Sequence, residues 1–143
     1  MNESVRKDLI YPELSYKIVG CAFSLYNEIG AGRLEKIYQK GLATAFKQEG
    51  LKFVEQIGCD VLYKGEKIGR GYLDFLVENK VVVELKRGNY FSPADFRQVH
   101  EYLRSNNLRL GLLIRFTPDK VLVRRILNND QATIMHQDQS VAA

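Results

Sequence analysis

The stretch that most limits the fold is residues 81–85, VVVEL, inside the longer LDFLVENKVVVELKR that ends at Arg87. Successive β-branched residues favour extended backbone, and a run that is apolar at nearly every position suits a strand covered on both faces. Such a strand lies inside a sheet. Its position makes Glu84 and Lys86 costly, because a buried, unpaired carboxylate is unfavourable by on the order of several kcal/mol. The chain has to supply a partner, a cation or a shifted pKa.

The flanking segments say what covers the strand. Residues 14–29 repeat apolar side chains at helical spacing (Leu14, Ile18, Cys21, Ala22, Leu25, Ile29) and stop at Gly30-Ala31-Gly32. A second helix is expected over residues 33–48, closing at Gly50. Three strands follow, over residues 53–63, 66–77 and 80–86, joined by the turn sequences YKGEK and VENK in a meander. In FSPADFRQVHEYLRSNN, Ser92 and Pro93 occupy the cap and first-turn positions of a third helix. That helix crosses over to LRLGLLIRF, which implies a right-handed parallel connection. KVLVRRIL, residues 120–127, reads as a last strand, and the residues after it as a polar tail. The expected architecture is α/β, a mixed sheet flanked by helices in the order α-α-β-β-β-α-β-β. One domain spans residues 14–128, with an N-terminal segment 1–13 and a tail 129–143.

Composition sets outer limits. The 143 residues suffice for a single packed core, 45% are hydrophobic and 27% charged, and no apolar run is long enough to cross a bilayer. A membrane partner is not expected. The polar opening lacks the apolar core of a secretory signal, and Cys21 and Cys59 lack CxxC spacing, so a cytoplasmic protein with reduced thiols is expected. Net charge is +4, and between Lys86 and Arg125 nine basic residues stand against three acids. A basic surface beside the charged strand suits phosphate, while arginines solvated on unrelated faces suit the same count.

Side chains alternate across a strand, so Glu84 and Lys86 share a face. A three-residue loop of Glu78, Asn79 and Lys80 would set Val77 against Val81 and Asp74 against Glu84, whereas a two-residue loop would put Asp74 on the other face. Two carboxylates with Cβ atoms about 5 Å apart repel, so one is protonated or a cation lies between them. An all-oxygen pair suits a hard ion such as Mg²⁺ or Mn²⁺, with Lys86 placed to orient a water or to offset charge on a phosphate. Without context the same residues also suit a solvated salt bridge at the end of a sheet.

GRLEKIY, from Gly32 to Tyr38, matches a GxxExxY signature, and YKGEKIG, YLDFLVENKVVVELK and RQVHEYLRSNNLRLGLLIRF follow in that family's order. Over residues 14–127 the chain resembles the GxxExxY proteins of the PD-(D/E)xK nuclease-like superfamily. The resemblance implies a restriction-endonuclease-like fold acting on DNA or RNA phosphodiesters. It implies Asp74 and Glu84 as metal-binding acids, Lys86 as the catalytic lysine, Glu35 as a further acid and metal ligand, and Gln98 as a site glutamine. Two positions depart from the family pattern, Tyr26 and Arg115-Phe116, and neither is expected to touch the acid and lysine set.

Other roles are open to several of these residues. Glu35 suits the first turn of its helix through the helix dipole alone. Tyr38 is expected as a structural core aromatic, with its hydroxyl free to bond a site carboxylate or another acceptor. Gln98 suits solvent or backbone contact, Arg87 a phosphate or the strand end, and His100 and His136 lack companions at metal spacing. Two readings compete with a nuclease: a non-catalytic nucleic-acid-binding or accessory module, and a homodimer joined through residues 120–127 as an edge strand.

Overall fold

The computed structural model describes residues 10–88 and 90–129, with residues 140–142 as backbone. Two helices come first, α1 (Pro12–Ile29) and α2 (Glu35–Gln48), then the strands β1 (Phe53–Tyr63), β2 (Glu66–Val77) and β3 (Val81–Arg87). Helix α3 (Pro93–Ser105), β4 (Leu110–Phe116), β5 (Val121–Leu127) and a short β6 (Ser140–Ala142) complete the order. All the strands lie in one sheet in chain order, with β3 and β4 parallel and the other neighbours antiparallel. This is the expected mixed sheet flanked by helices, consistent with a restriction-endonuclease-like fold.

Arg124 to Ile126 of β5 pair with β6, so this part of the strand that the homodimer reading offers as an edge already has a partner within the chain. The remaining tail, His136 included, lies outside the described residues.

Local chemistry fixes the strand register. Lys64 and Gly65 take positive φ between the paired Tyr63 and Glu66. In the next turn Glu78 and Asn79 are both left-handed, Lys80 N donates to Val77 O at 2.9 Å, and Val77 pairs with Val81. The loop therefore holds three residues, Glu78 to Lys80.

Alternation along β3 then divides the molecule. Val81, Val83 and Leu85 face α1 and α2 in a core with Ile18, Tyr38, Leu42, Phe46, Phe75 and Leu112. Val82 faces the other way, into a smaller cluster with Leu73, Leu113 and Ile126 against Val99 and Leu103 of α3. Parity puts Glu84 and Lys86 on the α3 side.

Helix α3 is fixed over that side by its cap and by one glycine. Ser92 Oγ accepts from Asp95 N at 3.2 Å, and Asp95 Oδ2 accepts from Ser92 N at 2.9 Å, a reciprocal pair that satisfies two helix-end donors. Gly111 of β4 lets the helix approach, because a Cβ there would sit 2.5 Å from Val99 Cγ1. Strand β2 pairs with β3 only from Phe75 to Val77, so its earlier residues continue with β1 as an arm beyond the sheet's centre.

Candidate active site

Where β2 leaves β3, backbone groups lose their strand partners and have to find others. Side chains supply them. Glu84 Oε1 accepts from Asp74 N at 2.9 Å, and Asp74 Oδ2 accepts from Leu85 N at 2.8 Å. Each carboxylate thus bonds the backbone of the other's strand, which brings the two acids together. Gln56, left-handed at φ 52 in β1, donates to Asp74 Oδ1 at 3.4 Å and to Gln39 Oε1 of α2 at 3.0 Å. Gln39 in turn donates to Asp74 O at 3.4 Å. Two glutamines therefore tie the arm to α2 around Asp74.

Glu84 is only 5% exposed. Burial, and next the Asp74 carboxylate, push its pKa up from the ordinary 4.5 to about 8, against the opposing pull of Lys86. Asp74 also moves upward, burial outweighing the N–H bond from Leu85. The two titrate as one unit, and a single proton relieves their repulsion.

Lys86 continues the cluster. Its Nζ lies 3.3 Å from Glu84 Oε2 and 3.7 Å from Asp95 Oδ1. Burial by itself would lower the Lys86 pKa, but the Glu84 and Asp95 carboxylates outweigh it and the net shift is upward. Asp95 Oδ2 also meets Arg115 Nη2 at 3.1 Å. Arg115 is buried, its pKa lowered by that burial; its Nη1 donates to Arg87 O, and its guanidinium lies 4.7 Å over the Phe91 ring. A chain of alternating charge, Glu84, Lys86, Asp95, Arg115, runs from the strand pair into the start of α3.

Arg115 is therefore linked to the acid and lysine set through Asp95, contrary to expectation. The reason is register. Lys86 and Arg115 are partners on the parallel strands β3 and β4, so both point toward α3, where Asp95 lies between them. The sequence singled out neither connection, although Ser92 and Asp95 at capping-box spacing signalled the helix start that puts Asp95 there.

The other expected residues fall nearby or elsewhere. Glu35 is exposed in the first turn of α2, and its charge reaches Lys86 and Arg115. It does not join Asp74 and Glu84: among the described residues no three His, Cys, Asp or Glu side chains are grouped to hold one metal ion. Gln98 lies one turn beyond Asp95 on α3, half-buried, with Nε2 2.9 Å from where a Cβ on Gly71 would be. With Gly71, Arg70 and Tyr102 it lines a groove of about 380 Å³ between the arm and α3.

The Tyr38 hydroxyl bonds no carboxylate. It donates to Gly30 O at 2.7 Å and accepts from Arg33 N at 3.3 Å, because its ring stacks on Phe116 and points the oxygen at the α1–α2 connection. Tyr26 donates to Thr117 O at 2.7 Å. The basic residues are divided: Arg125 bonds Ser15 and Ile10 on the α1 side, Arg124 lies over Phe91 on the α3 side, and Arg87 donates to Arg33 O. Both cysteines are free, their thiols raised to about 11 chiefly by burial. No helix among the described residues is long and apolar enough to cross a membrane.

Comparison with known proteins agrees with the architecture. The family model described as the PD-(D/E)XK nuclease superfamily matches residues 12–126. No curated protein matches the sequence. The crystal structure of SSO0001 is similar in fold, with a TM-score of 0.51 and 19% sequence identity over 66% of this chain and 50% of that one. This chain thus spans about half the length of that protein.

Proposed function

The chain belongs to the PD-(D/E)XK nuclease superfamily, and on that premise we propose that it is a metal-dependent nuclease hydrolysing DNA or RNA phosphodiester bonds. Within the superfamily we assign it to the GxxExxY proteins, on Gly32, Glu35 and Tyr38. One observation carries the reading: two interlocked carboxylates, Glu84 buried and Asp74 half-buried, lie beside a lysine at the point where the sheet opens.

The donor set fits a hard divalent ion, Mg²⁺ or Mn²⁺. Asp74 and Glu84 offer only oxygen, and in its absence they need a proton to coexist. Mg²⁺ keeps several waters and asks for one or two carboxylates, so a third protein acid is not required. Bound there, the ion supplies Lewis acidity toward a phosphate oxygen and a water of lowered pKa. The chain's own groups do the rest. Asp74 and Glu84 would hold the ion, and Lys86, an ammonium under the influence of two carboxylates, would orient a water or offset charge on the phosphate. Glu35 contributes to the field at Lys86 from α2, and Gln98 meets substrate in the groove beside α3. We place the protein in the cytoplasm, where its two free thiols remain reduced.

A second reading has its own support. The charge chain satisfies Lys86 without any metal, which suits a non-catalytic nucleic-acid-binding or accessory module in which these residues are a structural network. Cleavage of mixed nucleic acids with Mg²⁺ or Mn²⁺ separates the two. Wild type cleaves and Asp74→Ala, Glu84→Ala and Lys86→Ala fold without cleaving if the site is catalytic. Unchanged cleavage by Glu84→Ala contradicts the assignment.

A further inference from the structure

We infer that Asp95 is the residue that keeps Lys86 in the site when Glu84 is engaged elsewhere, and that Arg115 holds Asp95 in place for this task. The catalytic half of the inference rests on the nuclease reading; the positional half does not.

Lysine has a flexible four-carbon stem, so an amine at a strand end stays in one place only if something holds it. In this structure Glu84 and Asp95 share that task, at 3.3 and 3.7 Å from Nζ. A carboxylate that turns to another partner releases the amine, and Glu84 is the one with a second use. Asp95 is then the remaining anchor. Its neighbour on the other side makes the anchor necessary. Lys86 and Arg115 are register partners on β3 and β4 with side chains on one face, where like charges directly opposite repel. The Asp95 carboxylate stands between them and offers one oxygen to each. Without it, the more exposed and more flexible cation moves outward, and that is Lys86, since Arg115 is buried under Phe91 and tied to Arg87 O.

Asp95 itself has little freedom. Oδ2 accepts from Ser92 N and from Arg115, and the residue lies in the first turn of α3, where the helix end favours a negative charge. The helix start and the lysine are thus coupled through one side chain. Asp95 is a positioning residue: it touches Lys86 and acts on the reaction only through it.

The test uses four proteins, wild type, Glu84→Gln, Asp95→Asn and the double variant, with the acetylation rate of Lys86 by acetic anhydride read by peptide mass spectrometry without metal. Lys86 of Glu84→Gln should acetylate close to the wild-type rate, because Asp95 still holds it. The double variant should acetylate about tenfold faster, the scale on which supporting contacts act. Full exposure of Lys86 in Glu84→Gln alone, or a double variant no faster than wild type, overturns the inference. This arm needs neither cleavage nor metal, so it judges Asp95 even if wild type proves inactive, an outcome that would count against the nuclease reading alone. With an active wild type, Asp95→Asn should lower kcat about tenfold or more with KM near wild type. Ser92→Ala, which weakens the same helix cap, should keep kcat; an equal loss of kcat in both would make Asp95 a cap and nothing more.

Discussion

The two faces of the sheet differ in what they ask of the same strand. Toward α1 and α2, β3 presents Val81, Val83 and Leu85 to a dry core that contains edge-on Phe46, Phe53 and Phe75 and a stack of Tyr38 on Phe116. Toward α3 it presents Val82, then Glu84 and Lys86, and the small apolar cluster gives way to the charge chain. One face supplies stability through buried area and close packing. The other gives up stability by burying Glu84 beside Asp74, where each carboxylate raises the cost of the other's charge. A seven-residue strand does both because consecutive side chains point opposite ways.

The contrast breaks most visibly if the dry face is hollowed. Phe46 is fully buried against two aromatic rings, so Phe46→Ala should cost about 3–5 kcal/mol in urea unfolding and remove any cleavage by unfolding the chain. The charged face should respond in the opposite sense. Between pH 4.5 and about 8 the unfolded chain has lost a proton that the native Asp74–Glu84 pair still holds. The native state then binds more protons, and metal-free stability falls as pH rises through that window. Glu84→Gln should flatten this fall and be more stable than wild type at pH 8, by on the order of a few kcal/mol. Urea unfolding across that pH range checks both slope and sign.

Smaller changes sharpen the comparison. Gly111→Ala puts a Cβ 2.5 Å from the stiff Val99 and should cost about 1–3 kcal/mol, moving α3 and with it Asp95. Cleavage should fall by more than the folded fraction does, whereas a fall matching the folded fraction would mean that α3 does not hold the site. Smallest of all, Tyr26→Phe removes the bond to Thr117 O on the dry face and should lower stability by about 1 kcal/mol with cleavage per folded molecule unchanged.

These differences also explain what could be read from the sequence. Helices and strands followed from periodicity and turn chemistry, and the Glu78–Lys80 loop set Val77 against Val81 because a short loop leaves few registers. That local step reached Asp74 and Glu84. Asp95 and Arg115 were out of reach because a parallel register across α3 is set by helix packing, through Gly111 and Val99, and not by a turn. Arg115 carried a faint signal, a lone cation in the otherwise apolar LGLLIRF. The acceptor of the Tyr38 hydroxyl was out of reach for the same reason: its direction depends on stacking with Phe116, far along the chain. Glu35 is correctly on the helix that faces the site's end, but its side chain is exposed and apart from the acid pair.

The central claim is that Asp74 and Glu84 are held together for a divalent ion. Melting temperature at pH 8 with and without Mn²⁺, in wild type and Glu84→Gln, tests it most directly, because an ion that binds only the native state has to stabilise it. The account predicts a clear rise for wild type and a much smaller one for the variant. No rise in wild type, or the same rise in both, would contradict it.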